Sequence, residues 1–127
     1  MVKVFDSQTG LPSHILKGHR GTIQDLEFSP DGKLLASVGG FDNTLRVWNV
    51  DDGSPYAVFP QADDAVMTLA FSAAGKTIAT SGYGGEVSLW DVREKKLLKK
   101  FSTETNTVRD LQFSTSGKFL ATAGEDR

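Results

Sequence analysis

The stretch IQDLEFS at residues 23–29 decides the fold, because similar stretches recur as VMTLAFS at 66–72 and VRDLQFS at 108–114. In each stretch, apolar residues stand at the first and fourth positions, and Phe-Ser closes it. The three Phe residues lie 43 and 42 positions apart. A pattern that returns at a nearly fixed period of this length predicts a repeat architecture.

Each of the three stretches is followed by the same series of features. A turn that ends in Gly comes first, at Ser29–Gly32, Ser72–Gly75 and Ser114–Gly117. A Lys and a short apolar run follow, then a Gly, and then a run that ends in Trp48 or Trp90. Short runs rich in Val, Leu, Ile and Thr between Gly, Pro, Asp and Ser indicate β-strands. No stretch keeps an apolar period of about 3.6 residues, so we predict an all-β chain with four strands per repeat.

The two ends of the chain share one repeat between them. Val2–Asp6 matches Leu45–Asn49, with Phe5 at the position of Trp48. The spacing from Trp90 through the C-terminus to Phe5 of a following copy is again 42. We therefore predict one four-stranded unit in each of 18–60 and 61–102. Segments 1–17 and 103–127 are expected to be the last and first strands of a third, circularly permuted unit.

Several residues carry a resemblance to a known family. Gly18-His19 precedes the first repeated strand, and Trp48-Asn49 and Trp90-Asp91 each close the third strand of a repeat. With a period of about 40–45 residues, these pairs resemble those of WD-repeat proteins over the whole chain. The resemblance implies a β-propeller of four-stranded antiparallel blades around a central channel, with three blades in this chain.

The resemblance also implies a hydrogen-bonded tetrad of Asp, His, Ser or Thr, and Trp inside a blade. The first repeat has all four residues, which are His19, Ser37, Asp42 and Trp48. A buried indole N–H needs an acceptor, and a Ser hydroxyl can supply it. The imidazole is then expected to bridge the hydroxyl and the carboxylate.

The other two repeats retain only part of this tetrad. The positions that persist are Thr80 and Trp90 in the second repeat, and Thr122 and Asp126 in the third. The positions that are replaced are Gly84 for Asp and Ala62 for His, then Glu104 for His and Phe5 for Trp. We expect these networks to be incomplete, while the apolar strand positions preserve the fold.

Three blades are too few for a closed ring, since propellers have about four to eight. The outer blades should expose apolar faces, and the split blade should expose strand edges that favour pairing with another chain. We therefore predict a homo-oligomer, either a dimer of six blades or a trimer of nine, closed by a head-to-tail interface. Two alternatives stay open: a fragment of a larger WD-repeat scaffold protein, and an excised or engineered repeat unit.

A non-catalytic scaffold for protein interactions is the predicted function, with one rim of the ring as its binding face. Binding residues concentrate on loops that a rigid scaffold holds. By resemblance to the family, the rim residues come from the loop before the first strand and the loop between the second and third strands. They are Thr22, Gln24, Phe41, Ala65, Met67, Tyr83, Thr107, Arg109 and Glu125.

The sequence carries no catalytic or cofactor motif that outweighs this interpretation. His14 and His19 are the two histidines and there is no Cys, so we predict no metal site and no cofactor. Gly82-Tyr83-Gly84-Gly85 lacks the Lys-Ser/Thr of a phosphate loop and indicates a hairpin turn. An enzyme-associated propeller is the weaker alternative.

Charge and hydropathy narrow the partner classes. The net charge of −2 gives no strong field toward nucleic acid or an anionic membrane. Lys95, Lys96, Lys99 and Lys100 surround Leu97-Leu98 in a predicted outer strand, where lysines protect a sheet edge from wrong pairing. No secretory signal or apolar run of about 18 residues occurs. We expect a cytoplasmic protein that binds neither nucleic acid nor membrane.

Overall fold

The computed structural model of the chain describes residues 1–60 and 65–126. These residues form strands without any helix, which confirms the all-β prediction. Among them there is accordingly no long apolar helix of the kind that crosses a membrane. The strands are β1 (Val2–Phe5), β2 (Pro12–Leu16), β3 (Ile23–Phe28), β4 (Leu34–Gly39), β5 (Thr44–Asn49), β6 (Pro55–Pro60), β7 (Val66–Phe71), β8 (Thr77–Gly82), β9 (Glu86–Asp91), β10 (Lys96–Ser102), β11 (Thr107–Phe113) and β12 (Leu120–Glu125).

The strands pair into four antiparallel sheets. Blade A (β3–β6) and blade B (β7–β10) have four strands each, and neighbours in the sheet are neighbours in the chain. The N-terminal half-blade (β1–β2) and the C-terminal half-blade (β11–β12) have two strands each. The two half-blades are separate sheets, so within one chain they do not join into the third, split blade.

Apolar clusters place the four sheets in chain order along an arc. Val2 and Leu16 of the N-terminal half-blade pack with Leu35 and Trp48 of blade A. Blades A and B share the largest cluster, in which the rings of Phe59 and Trp90 lie 5.4 Å apart. A further cluster joins blade B to the C-terminal half-blade. The core therefore lies between sheets, and each sheet depends on its neighbours for burial.

The repeated turns after the inner strands have one geometry. The N–H of Gly32 donates to the carbonyl of Ser29 at 2.8 Å, and Gly75 and Gly117 make the same bond to Ser72 and Ser114 at 2.8 and 2.9 Å. These three glycines have φ between 70° and 72°. A left-handed φ costs Gly little and other residues more, which explains why Gly returns at this position.

A second repeated glycine is required by close packing rather than by φ. A Cβ at Gly82 would overlap the carbonyl oxygen of Ala65, and one at Gly124 would overlap that of Thr107. At Gly39 a Cβ would overlap the side chains of Asp42 and His19. The glycine near the end of the second strand of each repeat is therefore required because a side chain there would collide with a neighbouring chain segment.

Candidate functional site

The four tetrad residues of the first repeat form one hydrogen-bonded chain in blade A. Trp48 Nε1–H donates to Ser37 Oγ at 3.1 Å, and Ser37 Oγ lies 2.8 Å from His19 Nε2. His19 Nδ1 lies 2.8 Å from Asp42 Oδ2. One assignment satisfies all of them: the Ser37 hydroxyl donates to Nε2, and Nδ1–H donates to the carboxylate. The network ties β4, β5 and the segment before β3 together.

Asp42 is held as a carboxylate by several donors. Arg20 N–H donates to Oδ2 at 2.8 Å, and the Thr44 hydroxyl donates to Oδ1 at 2.9 Å. Burial raises the pKa of this carboxyl, but the bonds from Arg20, His19 and Thr44 outweigh burial and lower the pKa to about 2. The folded chain therefore favours the charged form, which contributes stability above the ordinary pKa of 3.8.

Replacing Asp42 by Asn should lower the free energy of unfolding at neutral pH by about 1–3 kcal/mol, because buried donors lose a charged acceptor. The native carboxylate loses its contribution as pH falls below 3.8 toward 2. The stability difference between the two chains should therefore shrink over that range. Urea denaturation at several pH values measures it, with the exposed Asp51→Asn as control. A difference that stays constant down to about pH 2 would contradict the role of the charge.

Blade B keeps the Trp bond and replaces the rest of the tetrad by backbone contacts. Trp90 Nε1–H donates to Thr80 Oγ1 at 2.9 Å. Gly84 N–H donates to the carbonyl of Asn106 at 2.7 Å, and the Thr103 hydroxyl donates to the carbonyl of Gly85 at 2.8 Å. Ala62, at the His position, lies outside the described residues. The Gly-rich loop forms a hairpin turn, as the sequence predicted. Its hydrogen bonds to the linker that follows β10 were not predicted.

The tetrad positions of the third repeat lie apart within one chain. Thr122 and Asp126 are exposed in the C-terminal half-blade, as is Glu104 in the linker before it. Phe5 lies in the N-terminal half-blade at the other end of the arc, where it is also exposed. No tetrad is assembled from these residues in the single chain.

The rim positions combine exposed side chains with strand irregularities. The pairing register shifts at Gln24, Met67 and Arg109, one in each inner strand, and such bulges re-aim side chains. The exposed members of the predicted rim set are Thr22, Gln24, Phe41, Tyr83, Arg109 and Glu125. Arg109 Nε–H donates to Glu125 Oε1 at 2.9 Å.

Three of the predicted rim residues are less exposed than the others and so less accessible to a partner. Ala65 and Met67 are half-buried. Thr107 is buried, which does not support its place in the binding face. The cause is a bridge between its backbone and that of Tyr83, together with its pairing to Glu125 in β12.

The two ends of the arc expose residues whose counterparts in other repeats are buried. Phe28 is 46% exposed, whereas its counterpart Phe71 is 6% exposed because blade A covers it. Phe101 is 36% exposed, whereas its counterpart Phe59 is 2% exposed against Trp90. Leu26 and Phe5 follow the same rule at the N-terminal end. Each of these residues lies on a sheet face that no further blade covers within the chain.

Polar contacts between inner strands were not foreseen from sequence. Asp25 Oδ2 accepts the N–H of Leu69 at 3.0 Å, and Glu27 Oε2 accepts that of Phe71 at 2.9 Å. Burial raises the pKa of Glu27, and its neighbours Asp25 and Asp110 raise it further, against the bond from Phe71. The signal was present as Asp and Glu alternating with Leu and Phe in IQDLEF.

The remaining residues considered for binding or catalysis either make structural contacts or are exposed to solvent. His14 Nε2 lies 3.1 Å from the carbonyl of Asp51, and Lys95 Nζ lies 4.3 Å from the centre of the Tyr56 ring. Every residue of β10 is exposed, and Lys100 pairs with Glu86 at 3.3 Å. In residues 1–60 and 65–126 no group of three His, Cys, Asp or Glu is arranged to hold a metal ion.

The fold and the tetrad place the chain in the class of WD-type β-propeller proteins, which consist of consecutive four-stranded antiparallel blades. The sequence model of the family described as WD domain, G-beta repeat, matches residues 10–49, 53–91 and 95–127. The chain belongs to the WD40 repeat family. Modules of this family are generally non-catalytic and mediate protein interactions.

Two relatives of this chain are much longer than the chain itself. WD repeat and SOCS box-containing protein 1 of Xenopus tropicalis is 35% identical over 84 residues, which are 65% of this chain and 20% of that protein. Serine-threonine kinase receptor-associated protein of Gallus gallus is 42% identical over 70 residues, 52% of this chain and 20% of that protein. The chain thus spans about a fifth of these relatives.

Solved structures share the arrangement of the blades. The crystal structure of RRP9 WD40 repeats superposes with a TM-score of 0.81, at 24% identity, over 86% of this chain and 34% of that one. The structure of U3-55K gives a TM-score of 0.80 at the same identity. This likeness concerns the fold of the chain.

Proposed function

We propose that the chain is a protein-interaction scaffold that assembles head to tail with copies of itself into a closed propeller. The observation that carries the proposal is the paired exposure at the two ends of the arc. Phe28 and Phe101 are exposed where their repeat counterparts Phe71 and Phe59 are buried by a neighbouring blade. Apolar sheet faces of this kind mark interfaces.

The two ends complement each other strand by strand. The C-terminal half-blade offers the open edge of β12, and the N-terminal half-blade supplies the two strands that follow it in blade order. Joined between copies, β11–β12 and β1–β2 give the four-strand order found in blades A and B. Phe101 then meets Phe5 of the next copy, as Phe59 meets Trp90 inside the chain.

Closure sets the number of copies. A head-to-tail contact generates a ring only when its rotation divides a full turn, and otherwise generates an open filament. Two copies give six blades and three copies give nine. The split blade would also bring Thr122 and Asp126 beside Phe5, so the tetrad positions of the third repeat would come together only in the assembly. Its hydrogen-bond network would still be incomplete, because Phe5 and Glu104 replace Trp and His.

A second source for the missing blades has support from the comparisons. The chain covers 20% of the relative from Xenopus tropicalis and 34% of the RRP9 WD40 structure. In a longer scaffold protein, further repeats of the same polypeptide would cover the same end surfaces. The two cases differ in solution mass, because only the first requires several copies.

The rim of the assembled ring is the proposed site for other proteins or peptides. Phe41, Tyr83 and Arg109 are exposed there, and aromatic and Arg side chains dominate interface hot spots. Cytoplasmic location and the absence of catalysis, cofactors and binding to nucleic acid or membrane stay predictions. For β10, protection of a sheet edge is the proposed role of the lysines.

The test is the solution mass of the chain by analytical ultracentrifugation. We expect two or three times the single-chain mass of 13.7 kDa. A single-chain mass at all concentrations would overturn self-assembly and favour the longer-protein alternative. A polydisperse series of larger masses would indicate an open filament.

Cross-linking tests the head-to-tail orientation, since the chain has no Cys of its own. A Phe5→Cys chain is mixed with a Phe101→Cys chain and treated with a short bismaleimide. We expect cross-links in the mixture and none in either chain alone. Cross-links within one variant alone would show a head-to-head contact and contradict the proposal. A Phe41→Cys chain on the rim is the control.

A further inference from the structure

We propose that β10 is a docking edge for an extended acidic segment of another protein, which pairs with β10 as a further strand of blade B. The site is distinct from the rim considered above. It also does not depend on assembly between copies, because blades added at either end of the arc leave the outer edge of blade B open.

The backbone of β10 is the least protected of the three outer strands. β10 has seven residues without a Pro, whereas β2 begins with Pro12, and β6 begins and ends with Pro55 and Pro60. A Pro on an edge strand removes a backbone donor and hinders pairing with another chain. Every residue of β10 is exposed, and within residues 1–60 and 65–126 no strand lies beyond it in the sheet. This edge is therefore open to the addition of a strand.

The open edge presents backbone groups at alternate residues. The N–H of Thr103, directly after β10, donates to the carbonyl of Gly85 at 3.0 Å, so Thr103 faces the β9 side. Because bonded residues alternate in an antiparallel ladder, the backbone groups of Phe101 also point to β9. Those of Lys100 and Ser102 point away from β9, where they can pair with a strand laid along the edge.

The side chains of β10 add a local positive charge. Residues 93–102 hold five of the 14 Lys and Arg of the chain and one of its 16 Asp and Glu. Lys100 pairs with Glu86 at 3.3 Å, whereas Lys96 and Lys99 make no ion pair with the residues that the structure describes. These two cations remain for an anionic partner. The like charges also keep the β10 edges of two chains from pairing with each other.

The pairing with β9 determines which side chains of β10 share a face. Leu97 pairs with Trp90, whose ring packs against blade A. Lys99 pairs with Leu89, which packs on the opposite face, toward the C-terminal half-blade. Lys96 alternates with Leu97 and so shares the face of Lys99. A strand laid along β10 would therefore meet cations on one face and the 42% exposed Leu97 on the other.

These two faces define the chemistry of the partner. A strand in which Glu or Asp alternates with apolar residues places its carboxylates beside Lys96 and Lys99, and its apolar side chains beside Leu97. A nucleic acid or an anionic membrane complements the chain less well, because outside residues 93–102 it holds nine Lys and Arg against fifteen Asp and Glu. A long polyanion would be repelled there, whereas a strand of the length of β10 meets the positive part alone.

Binding of a labelled synthetic peptide, measured by fluorescence anisotropy at low salt, tests the docking edge. The peptide has the length of β10, alternates Glu with Val, and is capped at both ends. We expect it to bind the wild-type chain. The double variant Lys96→Glu, Lys99→Glu should bind it at least about tenfold more weakly, because two attractions become repulsions. The double variant Lys33→Glu, Lys76→Glu is the matched control, since it makes the same change of net charge in two exposed turns and should keep the binding.

A second peptide separates strand addition from simple attraction between charges. It has the same composition, but its Glu residues are grouped at one end, so its carboxylates do not share one face of a strand. We expect it to bind at least about tenfold more weakly than the alternating peptide. In the complex with the alternating peptide, amide hydrogen exchange at Lys100 and Ser102, followed by NMR, should become slower.

Several results would overturn the docking edge. They are no binding of the alternating peptide to wild type at low salt, equal binding of the grouped peptide, and full binding by the Lys96→Glu, Lys99→Glu variant. Tighter binding of a single-stranded oligothymidylate or of phosphatidylserine vesicles than of the peptide would assign β10 to a polyanion instead. If circular dichroism shows that the double variant has lost its strands, hydrogen exchange in the wild-type complex decides, and unchanged exchange at Lys100 and Ser102 contradicts the proposal.

Discussion

Replacing Trp48 by Ala is expected to lower the free energy of unfolding by about 3–5 kcal/mol, as for other buried large aromatic residues. Its side chain is 2% exposed and packs with Val2, Leu16 and Leu35. The change removes these contacts, leaves a cavity between blade A and the N-terminal half-blade, and takes the indole donor from Ser37. Chemical denaturation followed by circular dichroism measures the loss.

A graded variant separates packing from hydrogen bonding at this position. Trp48→Phe keeps most of the apolar volume and removes the Nε1–H that donates to Ser37. We expect a smaller loss, of which the missing hydrogen bond contributes about 1 kcal/mol. Equal losses for Phe and Ala would assign the stability to the hydrogen bond alone. A loss below about 1 kcal/mol for Ala would refute the core role of the indole.

The strands and turns could be predicted from the local sequence pattern because each repeat has the same types of residue at the same positions. Turn glycines, short β-branched runs and a closing Trp recur, so the strands of blades A and B follow from sequence. The Trp48 and Ser37 contact also follows from the resemblance, since a buried indole needs an acceptor. The lysine run at β10 lies on an exposed outer strand, where the sequence placed it.

Contacts between segments far apart in the chain were beyond the pattern. Thr107 is buried because its backbone bridges Tyr83, and no local rule shows that pairing. Asp25 and Glu27 look like solvated charges in sequence, yet they accept N–H groups of β7 from 44 positions away. Lys95 has a left-handed φ of 56° at a turn position where other repeats have Gly10 and Gly53, which only the structure shows.

Because the repeats are similar, the contacts between blades A and B indicate which contacts the proposed junction between copies would have. Every junction between neighbouring blades should have similar apolar contacts. The junctions should differ mainly in their polar residues. Blades A and B meet through the acidic acceptors Asp25 and Glu27. At the junction of β7 with β11, the same two repeat positions hold Thr68 and Ala70, which carry no charge. In the proposed assembly, the apolar faces would supply most of the association energy, and the polar residues beside them would determine specificity.

Phe71→Ala and Phe28→Ala form a matched pair that reports whether the end surfaces are covered. Phe71 is buried between blades A and B, so its truncation should lower the free energy of unfolding by about 3–5 kcal/mol at any protein concentration. Phe28 stands at the same repeat position on the exposed end. Its truncation should matter little in the dissociated chain and should strongly weaken association.

The measurement is denaturation of both variants at low and high chain concentration, with sedimentation of the same samples. In a self-assembling chain, stability depends on concentration. The effect of Phe28→Ala should therefore approach that of Phe71→Ala only where wild type is assembled. Suppose that the chain sediments as a monomer and that Phe28→Ala and Phe71→Ala lower the free energy of unfolding by nearly equal amounts. Residues of the same chain would then cover Phe28, which contradicts its exposure in the structure. A small loss in a fully assembled ring would mean that the copies meet through some other surface.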